Sequence, residues 1–329
     1  MKRPYRTLGF VAALIVTALF VWYVVRSLRG QDLSVYATPR AALGIALCAL
    51  LWSFGAPLLA LAWHGLLAGL GVSRSRRELF GIIGITQFAK YVPGNVAQYI
   101  GRAGMSLVRG IPPRPLAVTM ILETLLVIAA AVAMGVGTGA LSDVGLTVVH
   151  LHGAQLALIT AVIALAIAGL FLFRRVAPAL LRHFSPKYGS ALDGTLLPPQ
   201  SRLAQAFALY CGMYVCMGIG LILLTGFLLP GTPHDYWLLT AVFALAWVVG
   251  FVTPGAPGGL GVREGLMLLM LAPVFTAASA SVLVIALRIA TTLGDVLILT
   301  CGFLVLPRRS DVSSATTTTP SCGDPHNCG

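Results

Sequence analysis

Long apolar runs dominate the chain, and short segments that carry most of the Lys and Arg separate them. A helix that crosses a bilayer needs about 20 apolar residues. Six runs are long enough, and they cover residues 8–25, 41–70, 115–141, 153–173, 203–229 and 279–306. Two further apolar regions, 79–109 and 236–275, are each interrupted by proline and glycine. The pattern predicts six full transmembrane helices and two pairs of half-helices.

The two interruptions combine residues that stop a helix with residues that start one. In the first, Pro93 and Gly94 end one half-helix and Asn95 is a suitable N-cap for the next. Broken backbone cannot face lipid, so it has to be buried in protein or line a polar cavity. We therefore interpret each interrupted region as a re-entrant hairpin, although two short crossings joined by a loop are the alternative. The second interruption contains six helix-breaking residues, which are Pro254, Gly255, Pro257, Gly258, Gly259 and Gly261.

The distribution of positive residues predicts the orientation, because Lys and Arg are retained on the cytoplasmic side. With the N-terminus in the cytoplasm, the basic loops near 74–77 and 174–202 are cytoplasmic, and the loops at 142–152 and 230–235, which lack Lys and Arg, are outside. Both termini are then cytoplasmic if the two hairpins enter from opposite sides, which makes the halves resemble inverted repeats. One outer loop goes against the rule, with Arg26, Arg29 and Arg40.

Composition agrees with an all-α polytopic membrane protein. Hydrophobic residues make up 58% of the chain and charged residues 10%, with a mean hydropathy of +0.91, whereas soluble domains are about 25% charged. The net charge of +12 lies in short gaps between apolar runs, which favours topology and lipid headgroups over nucleic acid as its explanation. The six cysteines lack the spacing of a metal site or a disulfide framework, so we expect no metal and no cofactor. We expect one transmembrane domain, 1–308, and a disordered polar tail, 309–329.

Charged and polar side chains occur within the predicted membrane segments. A charge at the centre of a membrane helix costs about 2.5–3.5 kcal/mol, so these groups must be paired or hydrated. Arg288 and Asp295 are two helical turns apart, too far for an easy direct bridge, so each should have its partner elsewhere. Glu123 could pair with Arg288 or Arg263. The candidate substrate-binding residues are Lys90, Asn95, Gln98, Arg102, Glu123, Gly258, Gly259, Gly261, Arg263, Glu264, Arg288 and Asp295.

Two roles for these residues remain open. They could brace the helix bundle as internal ion pairs, or they could bind a substrate. In the second interruption, exposed amides at a helix N-terminus beside Arg263 favour an anion such as phosphate. The simpler interpretation of the same segment is a tight turn in which Glu264 neutralises the dipole of its own helix, and this leaves Arg263 unexplained.

Four segments together resemble the lysylphosphatidylglycerol synthase/flippase transmembrane family, including its stand-alone members linked to hopanoid and glycolipid pathways. They are KYVPGNVAQYIGR, the helix with Glu123, PGAPGGLGVREG and LRIATTLGD, and the similarity covers nearly all of residues 5–306. The resemblance implies a helical bundle with re-entrant elements that moves a lipid across the bacterial inner membrane. Two-part members add a soluble synthase domain; none follows residue 306 here, so we do not expect an enzyme. Many members have Arg where this chain has Thr124.

The leading hypothesis is a translocase for a membrane lipid or a polyprenyl-linked glycan. Lys90, Arg102 and Arg263 would hold an anionic phosphate, whereas Glu123 and Glu264 would balance them or hold a cationic headgroup. One alternative is an intramembrane transferase that acts on a lipid-linked donor. Another is a non-catalytic subunit of a lipid biosynthesis complex, which uses polar residues to join helices. A homo-oligomer is compatible with each of these hypotheses.

Overall fold

The fold was analysed in a computed structural model, which describes residues 34, 37–91, 97–142, 197–232, 235–253, 259 and 261–306. All regular structure within these residues is helical, which confirms the predicted all-α class. The helices are α1 (Pro39–Ser53), α2 (Gly55–Ala68), α3 (Arg76–Gln87, continued by a 3-10 turn Phe88–Tyr91), α4 (Ala97–Val108), α5 (Pro113–Leu141), α6 (Gln200–Leu228), α7 (Tyr236–Val252), α8 (Val262–Leu271) and α9 (Ala277–Val305).

Four helical segments are long and apolar enough to cross a membrane, and the chain is a multi-pass membrane protein. They are the joined pair α1–α2 over Pro39–Ala68 and the helices α5, α6 and α9. Each coincides with a predicted crossing to within three residues at either end. The other two predicted crossings, 8–25 and 153–173, lie outside the described residues, as does the polar tail.

Both interrupted regions consist of helix pairs that end and resume near the predicted breaks. Helix α3 gives way to a 3-10 turn ending at Tyr91, and α4 begins at Ala97. Helix α7 has 17 residues and ends at Val252, and α8 begins at Val262 after Gly261 with a φ of 79°. Most of the helix-breaking residues lie outside the described ranges, namely Pro93, Gly94, Pro254, Gly255, Pro257 and Gly258, and so does the predicted N-cap Asn95.

The described helices form two sets with the same order, long, short, short, long, and we call these sets halves. Half A contains α1–α2, α3, α4 and α5, and half B contains α6, α7, α8 and α9. The packing between the halves is also repeated: α5 of half A packs on α7 of half B, and α9 of half B packs on α3 of half A. The first long segments, α1–α2 and α6, pack on each other. Each interrupted pair is therefore held by the last long helix of the other half.

Small residues allow two of these contacts to be close. A Cβ atom added to Gly84 of α3 would lie 2.8 Å from the Ile298 carbonyl oxygen and 3.0 Å from the Gly302 Cα atom of α9. A Cβ atom added to Gly135 of α5 would lie 2.6 Å from Leu245 Cγ of α7. The first contact is therefore backbone on backbone, and the second is backbone on a side chain, as small residues permit between membrane helices.

Candidate functional site: a charged cavity in an apolar bundle

A cavity of about 120 Å³ lies among helices of both halves. Uncharged side chains that line it come from α1–α2, from every helix from α3 to α7 and from α9, and its charged groups come from the 3-10 turn, α4, α5, α8 and α9. The lining residues are Trp52, Gly55, Ala56, Leu59, Ile83, Thr86, Gln87, Lys90, Gln98, Tyr99, Arg102, Glu123, Thr124, Val127, Met213, Trp247, Phe251, Arg263, Arg288, Thr291, Asp295 and Ile298.

Asp295 of α9 binds three donors that belong to half A. Its Oδ1 accepts hydrogen bonds from Lys90 Nζ at 2.7 Å and Trp52 Nε1 at 2.8 Å, and its Oδ2 accepts one from the Tyr91 hydroxyl at 2.5 Å. The side chain of Asp295 is 1% exposed and that of Lys90 is 15% exposed. Since a buried charge is tolerated only when it is paired and hydrogen-bonded, this cluster fixes the 3-10 turn and α1 to α9. The expectation that Asp295 has its partner away from Arg288 is confirmed.

Glu123 of α5 pairs with Arg102 of α4. Arg102 Nη1 and Nη2 donate to the two carboxylate oxygens at 2.5 and 2.7 Å, and both side chains are buried. The Arg102 guanidinium carbon also lies 3.8 Å from the centre of the Trp63 ring. The fork of a guanidinium matches a carboxylate in this bidentate geometry. The prediction that Glu123 pairs with Arg288 or Arg263 is wrong, because α4 and α5 are neighbours and Arg102 is the cation that reaches the carboxylate.

Glu264 has two contacts at the start of α8. Its Oε2 accepts a hydrogen bond from the Gly261 backbone N–H at 2.7 Å, and its Oε1 lies 3.5 Å from Arg288 Nη1 of α9. The carboxylate therefore neutralises its own helix N-terminus, as the simpler interpretation of the sequence expects, and it also balances Arg288. The expectation that Arg288 has a partner other than Asp295 is confirmed.

Arg263, the residue before Glu264, has a different environment. Among the residues that the structure describes, no carboxylate lies within ion-pair distance of its guanidinium. The Arg263 Nε atom is buried without a hydrogen-bond partner, and the guanidinium carbon is 5.6 Å from the centre of the Phe243 ring. A cation near an aromatic face gains some stabilisation, but an aromatic ring does not neutralise its charge.

Most of the residues predicted for the site converge on one region. Seven line the cavity: Lys90, Gln98, Arg102, Glu123, Arg263, Arg288 and Asp295. Three others, Gly259, Gly261 and Glu264, lie before or at the start of α8. Gly259 packs against Gly250: a Cβ atom added to Gly259 would lie 3.0 Å from backbone atoms of Gly250. The φ of Gly259 is 74°. Asn95 and Gly258 lie outside the described residues.

The sequence reasoning missed the aromatic and hydroxyl groups of the cavity. Trp52 and Tyr91 bind Asp295, and Tyr99 lies 3.4 Å from the hydroxyl of Thr124. A usable signal was present, because a Trp N–H or Tyr O–H buried in an apolar helix usually has a polar partner. Within the described ranges, no group of three His, Cys, Asp or Glu side chains is placed to hold a metal ion.

Comparison with known protein families gives a match over most of the chain. The family model described as the lysylphosphatidylglycerol synthase TM region matches residues 10–298. The chain belongs to this family. The matched range contains every charged residue that lines the cavity, from Lys90 to Asp295. A search of curated proteins with this chain gave no match.

Proposed function

We propose that the protein is a translocase, which moves the polar headgroup of a membrane lipid or lipid-linked glycan between leaflets. The observation that carries this proposal is the charged cavity formed by both halves inside an apolar bundle. The acyl or polyprenyl tail remains in the bilayer while the headgroup passes among the polar side chains. A headgroup charge in hydrocarbon costs several kcal/mol, and the ionic groups of the cavity lower this cost.

The repeated helix order supports a mechanism in which the two halves move relative to each other. Transporters with related halves bind substrate where interrupted helices meet, and they alternate access by rocking one half against the other. We propose that the pairs α3–α4 and α7–α8 are re-entrant hairpins that enter from opposite sides of the bacterial inner membrane. The positive loops then orient both termini toward the cytoplasm.

Movement of a lipid requires no bond to be made or broken, and we propose that the protein is not an enzyme. Both carboxylates that line the cavity, Glu123 and Asp295, are engaged by arginine, lysine or tyrosine groups. A general base needs to reach the proton that it removes. These pairings therefore support a binding and passage role over that of a transferase.

The proposal is tested with the purified protein in vesicles. Phospholipids with a fluorophore on an acyl chain are added to both leaflets, and a membrane-impermeant reductant bleaches the outer leaflet only. We expect protein-containing vesicles to lose the fluorescence of the inner leaflet as well, because lipid moves outward during the assay. The lipid extracted afterwards should be chemically unchanged; turnover of the lipid would support the transferase instead.

Two neighbouring positions on α5 provide a matched pair of variants. Thr124 lines the cavity, whereas Leu125 is 47% exposed on the surface of the bundle. Thr124→Trp should fill the cavity and abolish lipid movement, and Leu125→Trp should leave it intact. Equal activity of both variants in folded protein would show that lipid does not pass through this cavity, and no movement with the unmodified protein for any lipid tested would contradict the proposed function.

A further inference from the structure

The cavity is lined by more basic than acidic side chains. Four basic side chains line it, Lys90, Arg102, Arg263 and Arg288, against two carboxylates, Glu123 and Asp295. Glu264, which contacts Arg288, is the third carboxylate nearby. Within the described part of the chain, the cavity therefore has one more positive charge than negative charge. A concave site with apolar walls strengthens the field of such an excess.

The carboxylates are the first groups to consider, because a cationic headgroup would need one of them. Asp295 already accepts hydrogen bonds from Lys90, Tyr91 and Trp52, and Glu123 accepts two from Arg102. An ammonium group could bind either carboxylate only by displacing a buried cation of this chain. Removal of one partner from a buried ion pair costs about 3–5 kcal/mol, so neither carboxylate is available at low cost.

Arg263 is the group that carries the excess charge. It has no carboxylate at ion-pair distance among the residues that the structure describes, and its Nε is buried without a partner. The Arg263 side chain nevertheless lines the cavity. A half-buried guanidinium with a buried, unpartnered Nε and no counter-charge is costly, and an anion from the substrate would remove that cost.

We propose that the cavity selects lipids whose headgroup has a net negative charge, and that Arg263 binds the phosphate of that headgroup. This inference rests on the proposed translocase function and narrows its substrate class. A phosphodiester without an ammonium group completes the charge balance of the cavity. A zwitterionic headgroup brings a positive charge, and both carboxylates that line the cavity, Glu123 and Asp295, are already paired. An aminoacylated headgroup with net positive charge adds to the existing excess.

The selectivity is measured by comparing the rates at which three lipids move, each in its own vesicles, in the assay described above. The probes carry the same fluorescent acyl chain on phosphatidylglycerol, phosphatidylcholine or lysylphosphatidylglycerol, whose net charges are negative, zero and positive. We expect phosphatidylglycerol to move fastest, by about tenfold or more over phosphatidylcholine, since a hydrogen bond to a charged group is worth about 1.5–3 kcal/mol. Lysylphosphatidylglycerol should move slowest.

Substitution of Arg263 tests whether this residue is the source of the selectivity. Arg263→Gln should slow phosphatidylglycerol about tenfold or more and bring its rate close to that of phosphatidylcholine. Arg263→Lys keeps the charge and should restore part of the preference. Arg114→Gln removes one charge from an exposed arginine outside the cavity, and we expect it to behave as the unmodified protein.

A soluble competitor separates a lipid-binding site from a general phosphate site. Glycerophosphoglycerol, which has the same headgroup without acyl chains, should compete weakly, and inorganic phosphate should compete still less, if the site receives lipid from the bilayer. Strong inhibition by inorganic phosphate would overturn the assignment to a lipid headgroup.

The result that overturns the charge selection differs from the one that overturns translocation. Equal rates for the three lipids, or an unchanged preference in Arg263→Gln, would refute the selection of anionic headgroups and leave a translocase without it. If none of the three lipids moved, both proposals would fail together. A preference for lysylphosphatidylglycerol would refute the charge argument alone.

Discussion

The two halves of the protein share a helix order but differ in the chemistry at corresponding positions. In half A, Arg102 of the short helix α4 pairs with Glu123, ten residues into the long helix α5. In half B, Glu264 of the short helix α8 contacts Arg288, eleven residues into the long helix α9. The signs of the charges are reversed between the halves.

The geometry of the two pairs differs as much as their signs. The pair in half A is bidentate, with distances of 2.5 and 2.7 Å, and both side chains are at most 7% exposed. The pair in half B has its closest contact at 3.5 Å, and the Glu264 side chain is 20% exposed. The ion pair of half A is therefore a tight, buried brace, whereas the pair of half B is longer and partly exposed.

The largest expected effect comes from breaking the brace of half A. Glu123→Ala leaves the Arg102 guanidinium buried without its carboxylate, and we expect a loss of about 3–5 kcal/mol in the free energy of unfolding. Denaturant unfolding of the protein in detergent measures it. The double variant Arg102→Met with Glu123→Met should recover most of this loss, because no charge remains buried. A loss below about 1 kcal/mol for Glu123→Ala would contradict the assignment of this pair as a brace.

The packing of the halves on each other provides the next comparison. A Cβ atom at Gly302 would lie 3.0 Å from Ile85 N and 3.1 Å from Gly84 backbone atoms, which cannot move aside. At Gly135 the obstacle is the side chain of Leu245, which can change its conformation. We expect Gly302→Ala to cost about 1–3 kcal/mol in the free energy of unfolding and Gly135→Ala to cost less.

Gly137 gives the control for these substitutions. It lies in α5 with no atom within 4 Å of an added Cβ. Gly137→Ala should be neutral or should stabilise the helix by up to about 1 kcal/mol, because alanine has the higher helix propensity. Thermal unfolding of the three variants under one detergent condition ranks them, and a larger loss for Gly135→Ala than for Gly302→Ala would reverse the proposed difference between the two contacts.

The features that could be predicted from the sequence are those that depend on local composition. The crossings at 41–70, 115–141, 203–229 and 279–306 follow from the length of each apolar run, since a bilayer of fixed thickness requires it. The convergence of Lys90, Arg102, Arg263 and other charged residues follows from the cost of exposing charge to lipid. Each of these arguments needs only the chain itself.

The pairing of the charges could not be predicted in the same way. From the sequence alone, several cations were possible partners for Glu123. The packing of α4 beside α5 makes Arg102 the partner. The contacts of Asp295 with Trp52 and Lys90 join residues 243 and 205 positions apart in the chain. Such partners depend on which helices of the two halves become neighbours, and no local pattern contains that information.

The smallest loss of stability is expected from substitutions of Glu264 in half B. Two such substitutions separate its contact with Arg288 from its hydrogen bond with the Gly261 N–H. Glu264→Gln weakens the contact with Arg288 but keeps an oxygen that can accept from the Gly261 N–H. We expect it to change the free energy of unfolding by less than about 1 kcal/mol, as is usual for partly exposed ion pairs.

Glu264→Ala also removes that acceptor, so it should destabilise the protein by about 1 kcal/mol more than Glu264→Gln. The free energies of unfolding of these two variants and of Glu123→Gln, measured with denaturant, compare the ion pairs of the two halves. A cost for Glu264→Gln as large as that for Glu123→Gln would mean that half B is braced as firmly as half A. The distinction between a tightly paired half and a loosely paired half would then be lost. Arg263 would still have no carboxylate at ion-pair distance among the residues that the structure describes.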